Sequence, residues 1–168
     1  IDREIIINKN YEKKEISILT NLIENHKVNY FIDIGANCGI YSFQIASHFN
    51  NLNILAFEPN KEAFKKFSKT LEKNSEVFKN IKIFNFGLSN EKSILKMRSM
   101  IKHGYPQTGG SVVHDGKIYN NVDIYDADFE VADEKIKITN SNIAIKIDVE
   151  GHEFNVLLGL KKLLTNNN

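Results

Sequence analysis

The residues that could do chemistry in this chain fall in four short clusters, each just after an apolar run: Asp33 to Gly39 (DIGANCG), Glu58 to Asn60 (EPN), Gly87 to Asn90 (GLSN) and Asp148 to Glu153 (DVEGHE). In the first, Gly35 lets the backbone turn sharply and a ligand approach with no Cβ in the way, and a helix opening there points unpaired N–H groups at it. A dinucleotide fingerprint would put a further glycine where Asn37 stands, which disfavours pyrophosphate and with it a nicotinamide-dependent oxidoreductase. Asp33 suits a cationic amino group. Taken alone, the same turn fits a plain strand-to-helix connection. Glu58 lies 19 positions past Gly39, near the roughly 20-residue spacing at which an acid reaches a ribose diol. An acid there is also favoured by the dipole of a helix starting at Asn60. The last cluster holds proton-transfer groups. His152 titrates near neutrality beside carboxylates able to hold one tautomer, so it is the first choice of general base, with Asp148 its rival and Glu150 third. Acids at a helix start are favoured by the dipole as well. The cluster could also take Mg²⁺, but no metal site is assigned.

These clusters need elements to position them. Ile16, Leu19, Leu22 and Ile23 recur at helical spacing between Glu12 and His26. Apolar runs at Val28–Ile34, Asn53–Phe57, Ile81–Phe86 and Asn142–Val149 read as strands, the last interrupted by Lys146, which reads as a sheet-edge lysine. Helices follow three of them: one carrying Ile40, Phe43, Ile45, Ala46 and Phe49; one capped by Asn60 with Ala63, Phe64, Phe67 and Leu71 inward; and one from about His152 to Leu164 with Phe154, Leu157, Leu158 and Leu160 inward. Between the third and fourth strands the periodicity weakens. Gly104, Gly109, Gly110 and Gly116 with Pro106 suggest an irregular loop over roughly 99–117, near a site and able to close over a substrate. His103 and His114, in or beside that loop, are candidate acceptor contacts, whereas His26 and His48 read as helix-surface residues and Cys38 as a small residue in a tight turn. Strands alternating with helices imply a mostly parallel sheet covered on both faces, with ligands outside the carboxyl ends of the strands. The glycine turn and Glu58 together describe a pocket for a nucleoside with an amino-acid tail, S-adenosylmethionine.

The segments FIDIGANCG (Phe31 to Gly39), FEPN (Phe57 to Asn60), GLSN (Gly87 to Asn90) and IKIDVEGHE (Ile145 to Glu153), in this order, resemble the FkbM family of S-adenosylmethionine-dependent methyltransferases over about residues 28–160. The resemblance implies an α/β fold, a Rossmann-like class I methyltransferase three-layer sandwich. It also implies O-methylation of a hydroxyl on a sugar, glycan or natural product. Carried over, Asp33, Gly35, Asn37 and Gly39 would surround the methionine end of the donor, Glu58 the ribose, and Gly87 with Leu88 the adenine. A complete class I sheet has seven strands, so the expectation is a sheet truncated after its fourth core strand. Residues 1–27, a strand and helix, would precede a binding core at 28–168. A module that binds the nucleoside without chemistry is the alternative from another class.

Composition fits one globular domain of 168 residues. A formal charge of +1 offers no basic field for nucleic acid. The longest apolar runs, such as Ile5–Ile7, fall far short of the roughly 20 residues of a membrane span. One cysteine excludes a disulfide scaffold and suggests a reducing, cytoplasmic setting. The closing Thr165–Asn168 reads as a frayed end.

Overall fold

The computed structural model describes residues 12–167; residues 1–11, where the strand expected before the first helix would fall, and the last residue, Asn168, lie outside them. Helix α1 (Lys13–Asn25) leads into strand β1 (Tyr30–Ile34), helix α2 (Ile40–His48), strand β2 (Asn53–Phe57), helix α3 (Lys61–Lys73) and strand β3 (Ile81–Phe84). A second set follows, β4 (Gly87–Ser89), β5 (Ser93–Lys102), β6 (Tyr105–Pro106), β7 (Val112–Val113) and β8 (Val122–Val131). Short helix α4 (Ala132–Lys135) leads to β9 (Ile143–Ile147), and α5 (Glu153–Gly159) and α6 (Lys161–Thr165) close the described chain.

Strands β3, β2, β1 and β9 pair in that order, all parallel. The chain builds outward from β1 to β3 and then returns to the other side of β1, so the switch in strand order falls between β1 and β9. Side chains alternate across this sheet. Phe31, Ile54, Ala56 and Ile81 face α1, α2 and α3 through Ile23, Ile45, Ala46 and Phe67. Ile32, Ile34 and Phe57 face the other way onto Ala132, Ile136, Val156, Leu160 and Leu163. Two apolar layers on opposite faces make the expected three-layer α/β sandwich, with Ile23 of α1 packed into the first of them. Asn60 caps α3 as its sequence predicts, accepting from the amides of Glu62 and Ala63 at 2.9 and 3.0 Å.

Four expectations need correction. The third strand stops at Phe84, and Gly87–Ser89 forms a separate strand that pairs in parallel with β8 in another sheet. The stretch read as an irregular loop begins inside a long antiparallel ribbon: β5 pairs with β8 from Ser93 to Met100 and continues to Lys102, with β6 and β7 added to β5. Its inner face alternates Met97, Ala127 and Phe129, while the outer face carries Lys96, Asp126 and Asp128, which dilute the apolar signal. The last helix breaks at Leu160, and Phe154, Leu157 and Leu158 lie exposed because the buried stripe is Val156, Leu160 and Leu163. Residues 166–167 are held rather than frayed: the Asn167 amide donates to the carbonyls of Ile138 and Leu163, and its oxygen accepts from the Ser141 amide. No helix of the described residues is long and apolar enough to cross a membrane.

Candidate functional site

A cavity of about 430 Å³ opens at the carboxyl ends of β1, β2 and β9, at the switch in strand order. That volume is in the range of small-molecule sites. One side is the turn Gly35, Ala36 and Asn37 after β1; another is Phe57, Glu58 and Pro59 after β2; a third is Asp148, Val149, Glu150 and His152 after β9. The ribbon adds Met97, Thr108 to Ser111, Val113 and Phe129, and Glu12 and Tyr41 line the side toward α1 and α2.

The turn and the acid are bonded to each other. Glu58 Oε2 accepts from the Asn37 amide at 2.7 Å, and Oε1 accepts from the Asn60 amide at 2.7 Å. One carboxylate thus joins the loops after β1 and β2, and each oxygen keeps a second acceptor position. Burial outweighs the two amides and raises the Glu58 carboxyl from its ordinary 4.5 to about 7. The Asn37 side-chain oxygen is buried without a hydrogen-bond partner, an acceptor suited to a ligand donor. Gly35 has φ +77°, and a Cβ there would come within 2.0 Å of the Asp148 carbonyl. Only glycine lets the first turn pass this close to the last strand.

Asp33 takes a different place from the one its sequence position suggests. It is fully buried and absent from the cavity wall, because its side chain points to the α2 face. Ser42 Oγ donates to its Oδ2 at 2.8 Å, and the Lys146 ammonium lies 3.2 Å from its Oδ1. The carboxylate is therefore already neutralised. Lys146 is no outward sheet-edge lysine: its side chain is 16% exposed, lines the cavity, donates to the Gly35 carbonyl at 3.0 Å, and sits 3.6 Å from Asp148 Oδ2. The cue available in the sequence was a lone lysine inside an otherwise apolar strand, which needs a buried partner.

Gly39 also stands outside the cavity wall. A Cβ on it would lie 2.4 Å from the Phe67 ring, so its smallness serves the packing of α2 on α3. Gly87 and Leu88 do line the cavity, and Gly87 leaves room for the Phe129 ring. Neither His103 nor His114 is among the lining residues.

On the far wall, Asp148 and Glu150 are exposed and His152 is half-buried. Burial pushes the His152 imidazole below its ordinary value, with Glu153 pulling the other way. Among the described residues no carboxylate is bonded to the ring. Its Nε2 lies 3.1 Å from Ser89 Oγ, and its ring meets the edge of Phe129 at 5.2 Å. Glu153 instead accepts from the Gly151 amide at the start of α5. Among the described residues, no three His, Cys, Asp or Glu side chains gather as a metal-binding set. The Asn60 side chain, whose Oδ1 caps α3, donates from Nδ2 to Tyr125 Oη at 2.7 Å and to Ser111 Oγ at 3.4 Å, which ties the Thr108–Ser111 strap to the acid-bearing loop.

A parallel sheet wrapped by helices, with its cavity at the switch point and an acid reaching back to the first glycine turn, defines a Rossmann-like methyltransferase fold. Residues 33–167 match the methyltransferase FkbM domain, and the chain belongs to that family. The crystal structure of methyltransferase FkbM from Methylobacillus flagellatus KT superposes with a TM-score of 0.56 at 14% identity over 82% of this chain. The chain spans 30% of that protein's length. A precorrin-6y C5,15-methyltransferase from Geobacter metallireducens GS-15 is matched more loosely, with a TM-score of 0.33 at 13% identity over 68% of this chain and 86% of its own. No curated protein matches the chain.

Proposed function

We propose that this chain is the donor-binding core of an S-adenosylmethionine-dependent O-methyltransferase acting on a hydroxyl of a sugar, glycan or natural product in the cytoplasm. The single observation behind the donor is the bonded pair of the Asn37 turn and Glu58 on one cavity. The residues present suit that molecule. Glu58 can accept from both ribose hydroxyls, and the unpartnered Asn37 oxygen can accept from the methionine amino group. Gly87, Leu88, Met97 and Phe129 offer an apolar slot for the base. When bound, the donor supplies an electrophilic methyl on a sulfonium.

The protein's own contribution is orientation and a proton acceptor. Holding the acceptor oxygen in line with the transferred carbon supplies much of the rate, and the Thr108–Ser111 strap facing Glu150 is placed to do so. His152 is neutral near pH 7 and takes the proton of the acceptor hydroxyl, while Asp148 and Glu150 are exposed carboxylates able to hold neighbouring hydroxyls. Lys146 keeps Asp33 and Gly35 in place beneath the donor. We assign the donor-binding core to 28–168, with α1 packed onto it as a brace.

The test is mass spectrometry of the purified protein for carried-over S-adenosylmethionine or its demethylated product, followed by transfer of labelled methyl to a panel of hydroxyl acceptors. Label on oxygen supports the reading. Nucleoside binding without transfer to any acceptor would favour a non-catalytic binding module instead.

A further inference from the structure

The side chains around His152 assign a function to two residues of the GLSN segment, Ser89 and Asn90. Ser89 is 1% exposed and fixed in β4, whose ladder pairs it with Val131 of β8. Its hydroxyl has one hydrogen. That hydrogen is directed at Asn90 Oδ1, 3.2 Å away, a carbonyl oxygen that can only accept. The same oxygen also accepts from the Asn155 amide of α5 at 3.1 Å, which sets the orientation of the Asn90 side chain. With that hydrogen on Asn90, Ser89 Oγ meets His152 Nε2 at 3.1 Å as an acceptor. The ring nitrogen facing it then carries the proton, and Nδ1 is left with a bare lone pair.

We infer that Ser89, held by Asn90, is a positioning residue that locks His152 in its Nε2–H tautomer and makes Nδ1 the basic nitrogen. The consequence for catalysis rests on the reading of His152 as general base; the tautomer itself does not. The lock is rigid for a further reason. Gly159, the last residue of α5, lets that helix lie directly on β4, where a Cβ would come within 2.0 Å of the Ser89 carbonyl, so α5 packs closely on the end of β4. The edge of the Phe129 ring fixes the tilt of the imidazole. A hydroxyl here does what a carboxylate does in many histidine bases, without adding a negative charge beside the site.

The test uses the full chain labelled with ¹⁵N-histidine, with His152 assigned through His152→Gln, and long-range ¹H–¹⁵N correlation at pH 8. The wild type should show Nε2 protonated and Nδ1 bare, with a slowly exchanging Nε2–H signal that Ser89→Ala abolishes. Asn90 is exposed, so its variants leave the core intact. Asn90→Ala frees the serine hydroxyl to donate to the ring and should move the tautomer ratio toward Nδ1–H by about fivefold, one hydrogen bond's worth. Asn90→Asp keeps an acceptor and should hold the Nε2–H form. An Nδ1–H wild type, or an Asn90→Ala spectrum identical to it, would overturn the lock. If the spectra agree but His152→Gln still transfers methyl at the wild-type rate, the lock stands and the base assignment fails.

Discussion

Glu58→Gln separates the two jobs of that side chain, bracing two loops and accepting from a ligand, by means of pH. Folding raises the Glu58 carboxyl from 4.5 to about 7, chiefly by burial. Below pH 4.5 it is neutral in both folded and unfolded chains. As pH rises from 4.5 to 7 the unfolded chain ionises first, so the folded state loses relative stability through that window and nothing further above it. The rise corresponds to about 3 kcal/mol. Glutamine cannot titrate. Urea unfolding of both proteins from pH 4.5 to 8 should therefore show the wild type falling by about 3 kcal/mol relative to Glu58→Gln and levelling off above pH 7. Donor binding should draw on the same equilibrium. Ribose hydroxyls donate best to the ionised carboxylate, so affinity should climb as much as tenfold per pH unit below 7, with a proton released on binding. Calorimetry in buffers of different ionisation enthalpy counts that proton. A stability difference independent of pH, or a wild type that gains on the variant as pH rises, would refute the reasoning.

Lys146→Met leaves Asp33 buried with the Ser42 hydroxyl but without its counter-charge and should destabilise the fold by about 3–5 kcal/mol; the double variant Asp33→Asn/Lys146→Met should recover most of that in the same urea assay. Gly35→Ala meets both a left-handed backbone and the Asp148 carbonyl. It should abolish binding of S-adenosylhomocysteine by calorimetry, with a loss of at least about 1 kcal/mol in stability. His152→Gln should lower methyl transfer by about 10²-fold or more with donor affinity unchanged, and equal loss of both would remove its role as base.

The parallel half of the fold is legible in the sequence because its strands are buried on both faces. Phe31 to Ile34, interrupted only by Asp33, and Ile54 to Phe57 read as apolar runs, and each is followed by a helix. The ribbon is not, because β5 and β8 bury one face only and put Lys96, Asp126 and Asp128 on the other. Their pairing across more than twenty residues leaves no local signal. The last helix misled through its leucines. Leu157 and Leu158 lie off the stripe set by Val156, Leu160 and Leu163, and the kink at Leu160 turns the pattern partway along. In the site, Gly35, Asn37, Glu58 and His152 could be placed on one cavity from their positions after strands. Asp33 could not be separated from them, since its neutralisation depends on a lysine more than a hundred residues later that lies beside it only in the β1–β9 register.

The central claim is that the Asn37 turn and Glu58 grip one sulfonium nucleoside. Isothermal titration with S-adenosylhomocysteine and with NAD, on the wild type and Glu58→Ala, addresses it directly. The nucleoside should bind at one site per chain and lose about 10–100-fold in affinity in the variant, the loss of hydrogen bonds to a charged group, while NAD gives no heat of binding. Binding of NAD alone, or nucleoside binding unchanged by Glu58→Ala, would contradict it.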